Sequence, residues 1–194
     1  MPSPSSLSAA LAEHAAAFPE DPWLFYPEGL DWRWISYRAA VRGEGRVGAW
    51  EAVLQVIHDE PAQRELVSWA ERLAARISPP PPGQRDIVAL SGPWHHPVAR
   101  SMLSWSVVTG AAVVLEPDPE RRVATAAWAR PTVFHGSAAE VAALCRAAEK
   151  RPGRPFGRLR TVLLTEDDEP RPSDAAWLTG RGVEIVRAAL RFLG

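Results

Sequence analysis

The sequence holds 194 residues, 46% hydrophobic and 23% charged, a length and balance that suit one self-supporting core rather than a disordered or membrane-embedded chain. A formal net charge of -1 leaves it without the uniform positive field on which nucleic-acid affinity depends, and its single cysteine, Cys145, excludes an intrachain disulfide. No basic-then-apolar leader opens the chain and no apolar run reaches the roughly 20 residues of a bilayer crossing, so the expectation is a cytoplasmic protein with no nucleic acid and no membrane as partner.

Leu7, Leu11, Ala15 and Phe18 recur at helical spacing and predict a helix that Pro19 and Pro22 end. Trp23 to Tyr26 and Trp32 to Ile35, on either side of a Pro27-Glu28-Gly29 turn, predict an aromatic hairpin, because bulky residues flanking a glycine turn suit a half-buried strand pair. Gly43, Gly45 and Gly48 have the spacing of a phosphate-binding loop, but no buried strand precedes them, so a Gly-rich surface loop is the better reading. Helices are expected from about Ala49 to His58 and from Ala62 to Ile77, the second turning Leu66, Trp69, Ala70 and Leu73 inward.

The run Pro79 to Pro82, closed by Gly83, cannot continue a helix and predicts a stiff spacer. It divides an N-terminal helical and hairpin region, 1–78, from a sheet region, 84–194, the two forming one compact domain. Beyond it, β-branched segments at Ile87–Leu90, Ala112–Leu115, Thr132–Phe134, Thr161–Leu164 and Val183–Val186 alternate with helical patterns starting at Pro97, Asp118-Pro119-Glu120, Ser137 to Glu140 and Ser173-Asp174. Repeated βα units imply an α/β fold: a parallel sheet of about five strands flanked by helices, preceded by the N-terminal helix and aromatic hairpin.

Ligands of such sheets gather beyond the carboxyl ends of the strands. There the sequence places Trp94, His95 and His96 after the first sheet strand and His135, Gly136 and Ser137 after the third, which makes these six the pocket candidates. Adjacent histidines point in different directions and no acidic or cysteine partner stands at ligand spacing, so no metal site is expected. Ser137 lacks the surroundings of a nucleophile elbow and reads as the first residue of a capping box with Glu140. Cys145 falls on an apolar helix face and reads as a core thiol, and the run Glu166 to Glu169 reads as a solvated acidic loop more readily than as a cation site.

The stretch Glu65-Leu-Val-Ser-Trp-Ala-Glu-Arg-Leu-Ala-Ala75, then Pro82-Gly-Gln-Arg-Asp-Ile-Val-Ala-Leu90, then Thr109-Gly-Ala-Ala-Val-Val-Leu115, resembles the adenylate-forming (acyl-CoA synthetase, AMP-binding) superfamily. Arg130-Pro-Thr-Val-Phe-His-Gly136, Leu159-Arg-Thr-Val-Leu-Leu164 and Gly182-Val-Glu-Ile-Val186 are similar to a later segment, so the likeness covers most of residues 62–187 and extends loosely over 7–37. It implies the sheet of an adenylation domain, truncated and N-terminal-domain-like, with His96 as the residue matching a family pocket position.

The pattern departs at the nucleotide side. No Ser/Thr/Gly-rich loop with a lysine stands between the two segments, Glu166-Asp167 replaces a Gly-Gly pair, and Arg187-Ala-Ala-Leu-Arg191 stands where an aromatic-Gly-x-Thr-Glu motif would follow. The likeness does not extend to the family's C-terminal domain and its catalytic lysine. Adenylation requires charge neutralisation of a departing pyrophosphate, so the expectation is a degenerate, non-ligating protein that binds a small acyl or aromatic carboxylic acid or a protein partner, with no cofactor unless the ATP, AMP or CoA site is rebuilt. Two alternatives stand beside it. One is a small enzyme using His96 and His135 as acid and base with the helix start at Ser137 holding an oxyanion; the other is a structural subunit or homo-oligomer making contact through Trp23, Trp32, Trp34 and Trp50.

Overall fold

The computed structural model describes residues 4, 6–28, 31–44, 60–91, 97–116, 118, 120–150, 156–165 and 167–188. Helix α1 (Leu7–Ala17) is the predicted first helix, opened by Ser6, whose hydroxyl accepts the Ala9 amide at 3.1 Å, and buries Leu7, Ala10 and Leu11. Strands β1 (Pro22–Glu28) and β2 (Asp31–Ser36) form the predicted hairpin, with Leu24 opposite Ile35 and Phe25 opposite Trp34. A short helix α2 (Tyr37–Arg42), not anticipated, follows directly; the Ser36 hydroxyl caps it, and Gly43 ends it in the left-handed conformation at φ 66°. The first glycine of the Gly-rich run is thus a helix terminator, while Gly45, Gly48 and the expected helix from Ala49 to His58 lie outside the described residues. Helix α3 (Glu60–Ala74) turns Leu66, Trp69, Ala70 and Leu73 inward, as predicted.

The remaining elements alternate: β3 (Ile87–Ser91), α4 (Pro97–Thr109), β4 (Ala112–Glu116), α5 (Arg122–Ala129), β5 (Val133–His135), α6 (Ala138–Lys150), β6 (Thr161–Thr165), α7 (Pro172–Thr179) and β7 (Glu184–Ala188). Helix α5 begins later than Asp118-Pro119-Glu120 suggested, because Asp118 spends its side chain on a turn, its Oδ1 accepting the Glu120 amide at 2.9 Å before the helix starts.

All five expected sheet strands are present, but the sheet has seven strands in the order β2-β1-β4-β3-β5-β6-β7. The hairpin is part of it: Leu24 and Phe25 pair in parallel with Val113 and Val114. Periodicity shows that a segment is a strand, not which strand lies beside it, and an isolated hairpin would be marginal in water. Among the described residues only the β1–β2 pair is antiparallel.

Two cores separate the faces of the sheet. Helices α1 to α4 pack on one face over Leu24, Ile35, Val88, Leu90, Val113, Val133 and Leu163. On the other, α5 to α7 pack over Ala89, Phe134, Val162 and Leu164. Leu163 and Leu164 facing opposite cores is the strand alternation made explicit. Since β3 connects to β4 over the first face and β5 to β6 over the second, the connections diverge at the β3/β5 boundary, the topological switch point of the sheet.

Two adjacent residues at the start of β3 tie the layers together. Arg85 donates to Asp21 Oδ2 at 2.7 Å, to the Tyr37 hydroxyl at 2.6 Å and to the Gly110 carbonyl at 2.8 and 2.9 Å. Its guanidinium also lies over the rings of Tyr37 and Phe18. Tyr37 is fully buried and its hydroxyl is pushed up to about 12 by that burial, so it remains a neutral donor to the Ala111 carbonyl. Asp86, buried, accepts Arg160 Nη2 on both oxygens at 2.7 Å and the Thr132 hydroxyl at 2.6 Å. Arg160 reaches on to the Ser78 carbonyl, and the Thr132 hydroxyl accepts the Ile87 amide at 3.0 Å.

Removing one partner of such an enclosed pair strands the other charge. Asp86→Ala is expected to cost about 3 kcal/mol, read as a lower urea midpoint at unchanged slope.

His14 on α1 wedges against Gly110, where a Cβ would stand 2.7 Å from the imidazole Cε1 and where φ is 71°, so a side chain is excluded both by space and by backbone. The ring also meets Tyr37 at 5.5 Å between centroids. Burial, reinforced by the nearby Arg85 charge, lowers the His14 pKa below its ordinary 6.5, against the pull of the Val107 and Val108 backbone and Glu13. The folded state therefore prefers neutral His14. Its contribution to stability is complete above pH 6.5 and is lost as pH falls from there through the lowered folded value. Thermal melts from neutral to mildly acid pH should show this slope in the native chain and a flatter one in His14→Gln.

Candidate carboxyl-edge site

The carboxyl ends of β4, β5 and β6, with the helix starts that follow them, form one edge of the sheet. Glu116 closes β4 with its carboxylate buried: Oε2 accepts the Thr125 hydroxyl at 2.9 Å and lies 3.6 Å from Arg121 Nε, while Oε1 accepts the Asp118 amide at 3.2 Å. Arg122 donates from Nε to the Glu116 carbonyl at 3.1 Å and pairs with Glu140 Oε1 at 2.7 Å, joining the first turns of α5 and α6.

Of the six pocket candidates, Trp94, His95 and His96 lie outside the described residues. The other three fall together at the β3/β5 switch point. His135 is buried, and because Val133 enters the first core and Phe134 the second, its ring belongs to the α1–α4 side. The Gly136 amide donates to the Leu163 carbonyl at 3.3 Å; a Cβ there would meet Phe134 Cε1 at 2.7 Å, so glycine is required by close packing. Ser137 makes the predicted capping box: its hydroxyl accepts the Glu140 amide at 3.3 Å, and Glu140 Oε2 accepts the Ser137 amide at 2.8 Å. At this helix start the Ser137 amide and hydroxyl already face the protein's own carboxylate, Glu140.

Cys145 is buried in the second core, and its thiol is pushed up to about 11, chiefly by that burial, which leaves a packing residue rather than a nucleophile. Within the acidic run, Asp168 accepts the Thr165 hydroxyl at 2.7 Å and Glu169 pairs with Arg187 at 2.9 Å. Among the described residues no group of three or more His, Cys, Asp or Glu is placed to hold a metal ion, and no helix is long and apolar enough to cross a membrane.

The sequence reading missed a groove of about 570 Å³ between the β6–α7 loop and the edge strand β7, lined by Pro170, Pro172, Ala175 and Ile185 together with Glu169 and Arg187. The available signal was Arg187 itself, a cation where the family resemblance has an aromatic motif, but only the folded sheet brings it against Glu169, 18 residues earlier.

A mostly parallel seven-stranded sheet covered on both faces and entered through an aromatic hairpin is the fold of the N-terminal part of adenylation domains and acyl-CoA synthetases. The nonribosomal peptide synthetase FmoA3, bound to AMPPNP, matches 97% of this chain and 32% of its own at a TM-score of 0.72 and 14% identity. CmiS6 matches 96% of this chain and 71% of its own at a TM-score of 0.59 and 14% identity. O-succinylbenzoate CoA synthetase (MenE) of Bacillus subtilis matches 93% and 58% at a TM-score of 0.62 and 12% identity. The chain thus spans 32% of FmoA3 and 58% of MenE, well short of either. No family model and no curated protein sequence matches it.

Glu140 serves the capping box and the Arg122 pair at once. Glu140→Ala is expected to lower stability by about 2 kcal/mol, more than a cap alone, and Glu140→Gln, which keeps the cap but loses the charge, should fall between the two in chemical denaturation.

Proposed function

We propose that this chain is an adenylation-domain fold used for binding rather than for adenylate formation, and that its ligand is a small acyl or aromatic carboxylic acid. The observation that carries this reading is the β7 groove: apolar walls of Pro170, Pro172, Ala175 and Ile185 beneath one guanidinium, Arg187, whose present partner Glu169 is mostly exposed and displaceable. One arginine over an apolar floor suits a single carboxylate carrying a hydrocarbon or ring.

A polyphosphate is a poor fit to the same edge. Asp167, Asp168 and Glu169 crowd the loop beside the groove, Glu140 occupies the amide at the start of α6, and the sequence's one lysine, Lys150, lies at the opposite end of that helix. Like charges would raise the cost of bringing a triphosphate there, and the cations that usually offset it are not among these residues.

Isothermal titration with aliphatic and aromatic carboxylic acids, ATP with magnesium, and AMP tests the reading. An acid of either class should bind, Arg187→Ala should weaken it at least tenfold, and ATP should give no heat. Micromolar ATP binding with pyrophosphate release would overturn it.

A further inference from the structure

Among the described residues β2 is the end strand of the sheet with no strand on its outer side, and its sequence does little to protect it: Asp31-Trp32-Arg33-Trp34-Ile35-Ser36 contains no proline and no lysine, the usual means of blunting an exposed strand. One face of this edge is aromatic. Trp34 is 52% exposed, Trp128 on α5 is 58% exposed, and Trp32 stacks on Trp128 with centroids 5.1 Å apart and planes 22° from parallel. Trp23, which the sequence reading grouped with the contact tryptophans, is fully buried and takes no part; Trp50 lies outside the described residues.

The backbone alternation gives the edge a definite polarity. Trp32 pairs with Pro27, which has no N–H, so this pair suits the non-hydrogen-bonded position of the hairpin and turns the N–H and C=O of Trp32 outward. The side chains of Asp31 and Arg33 lie on the opposite face from Trp32. Arg33 is 59% exposed and engages Glu28 through Nε alone, which leaves its two terminal nitrogens available.

We propose that β2 pairs antiparallel with β2 of a second copy of this chain about a two-fold axis at Trp32. The charges choose that register. Centred on Trp32, each Asp31 stands directly opposite the other copy's Arg33, twice over, in the non-hydrogen-bonded positions where cross-strand side chains approach most closely. Centred one residue on, Arg33 would face Arg33, a repulsive pairing; centred two on, it would face Ile35 and the charges would go unanswered. In the chosen register Trp32 faces Trp32, so the ladder Trp128–Trp32 of one copy continues into Trp32–Trp128 of the other. Such an interface is isologous and closes as a dimer.

Sedimentation velocity over micromolar to high-micromolar protein tests this, with circular dichroism confirming that each variant folds. The native chain should shift from monomer towards dimer with concentration. Asp31→Arg and Arg33→Asp should each weaken dimerisation at least tenfold, and the double reversal Asp31→Arg/Arg33→Asp should restore it, because the pair is rebuilt with its signs exchanged. A chain that stays monomeric throughout, or a dimer indifferent to the single reversals, or single-reversal losses that the double reversal does not rescue, would overturn the proposal. The groove and its carboxylic acid ligand are at the other edge of the sheet, so ligand titration and dimerisation succeed or fail independently.

Discussion

The structure depends on two neighbouring residues of opposite charge. Arg85 gathers the N-terminal layer, bonding Asp21 ahead of β1, Tyr37 at the head of α2 and the Gly110 carbonyl after α4. Asp86 gathers the other half by holding Arg160 and Thr132, which sit at the starts of β6 and β5. Because consecutive residues of an extended chain point to opposite sides, one dipeptide serves two layers. Both clusters lie at the amino ends of the strands. Rigidity concentrated there leaves the carboxyl edge, where α/β sheets take their ligands, to vary in sequence without endangering the fold.

The carboxyl edge is held by carboxylates meeting the chain's own donors. Glu116 closes the turn into α5, Glu140 closes the start of α6 and grips Arg122, and Asp168 closes the turn after β6. Each satisfies backbone or hydroxyl donors of its own turn or helix start. Arg187, lining a groove with apolar neighbours, is paired instead with an exposed glutamate.

Much of the architecture was legible because it rests on short-range rules. The five sheet strands were marked by β-branched runs, α1 and α3 by apolar spacing, α4 by Pro97 and α6 by the Ser137–Glu140 box, each a signal contained within a few residues. Failures came where a residue had two uses. Asp118 resembled a helix start but formed the preceding turn, and Gly43, read as part of a Gly-rich surface loop, also ends a helix, α2, that no spacing signal announced. At the candidate site, His135, Gly136 and Ser137 follow one another at the end of β5, where the strand pattern had placed them. The capping by Ser137 was already legible from Glu140 three residues on, whereas the close packing at Gly136 emerged only with the Phe134 ring in place.

The sequence alone was enough to show an α/β protein of alternating strands and helices, because element type follows from local periodicity and from turn and capping residues. Tertiary structure alone decided that the hairpin joins the sheet beside β4, that Arg85 and Asp86 bind the layers, and that Arg187 meets Glu169 over a groove. Those outcomes join residues up to 89 positions apart, as Leu24 and Val113 are, and no local pattern encodes which distant partner a charge or a strand edge will find once the chain closes on itself.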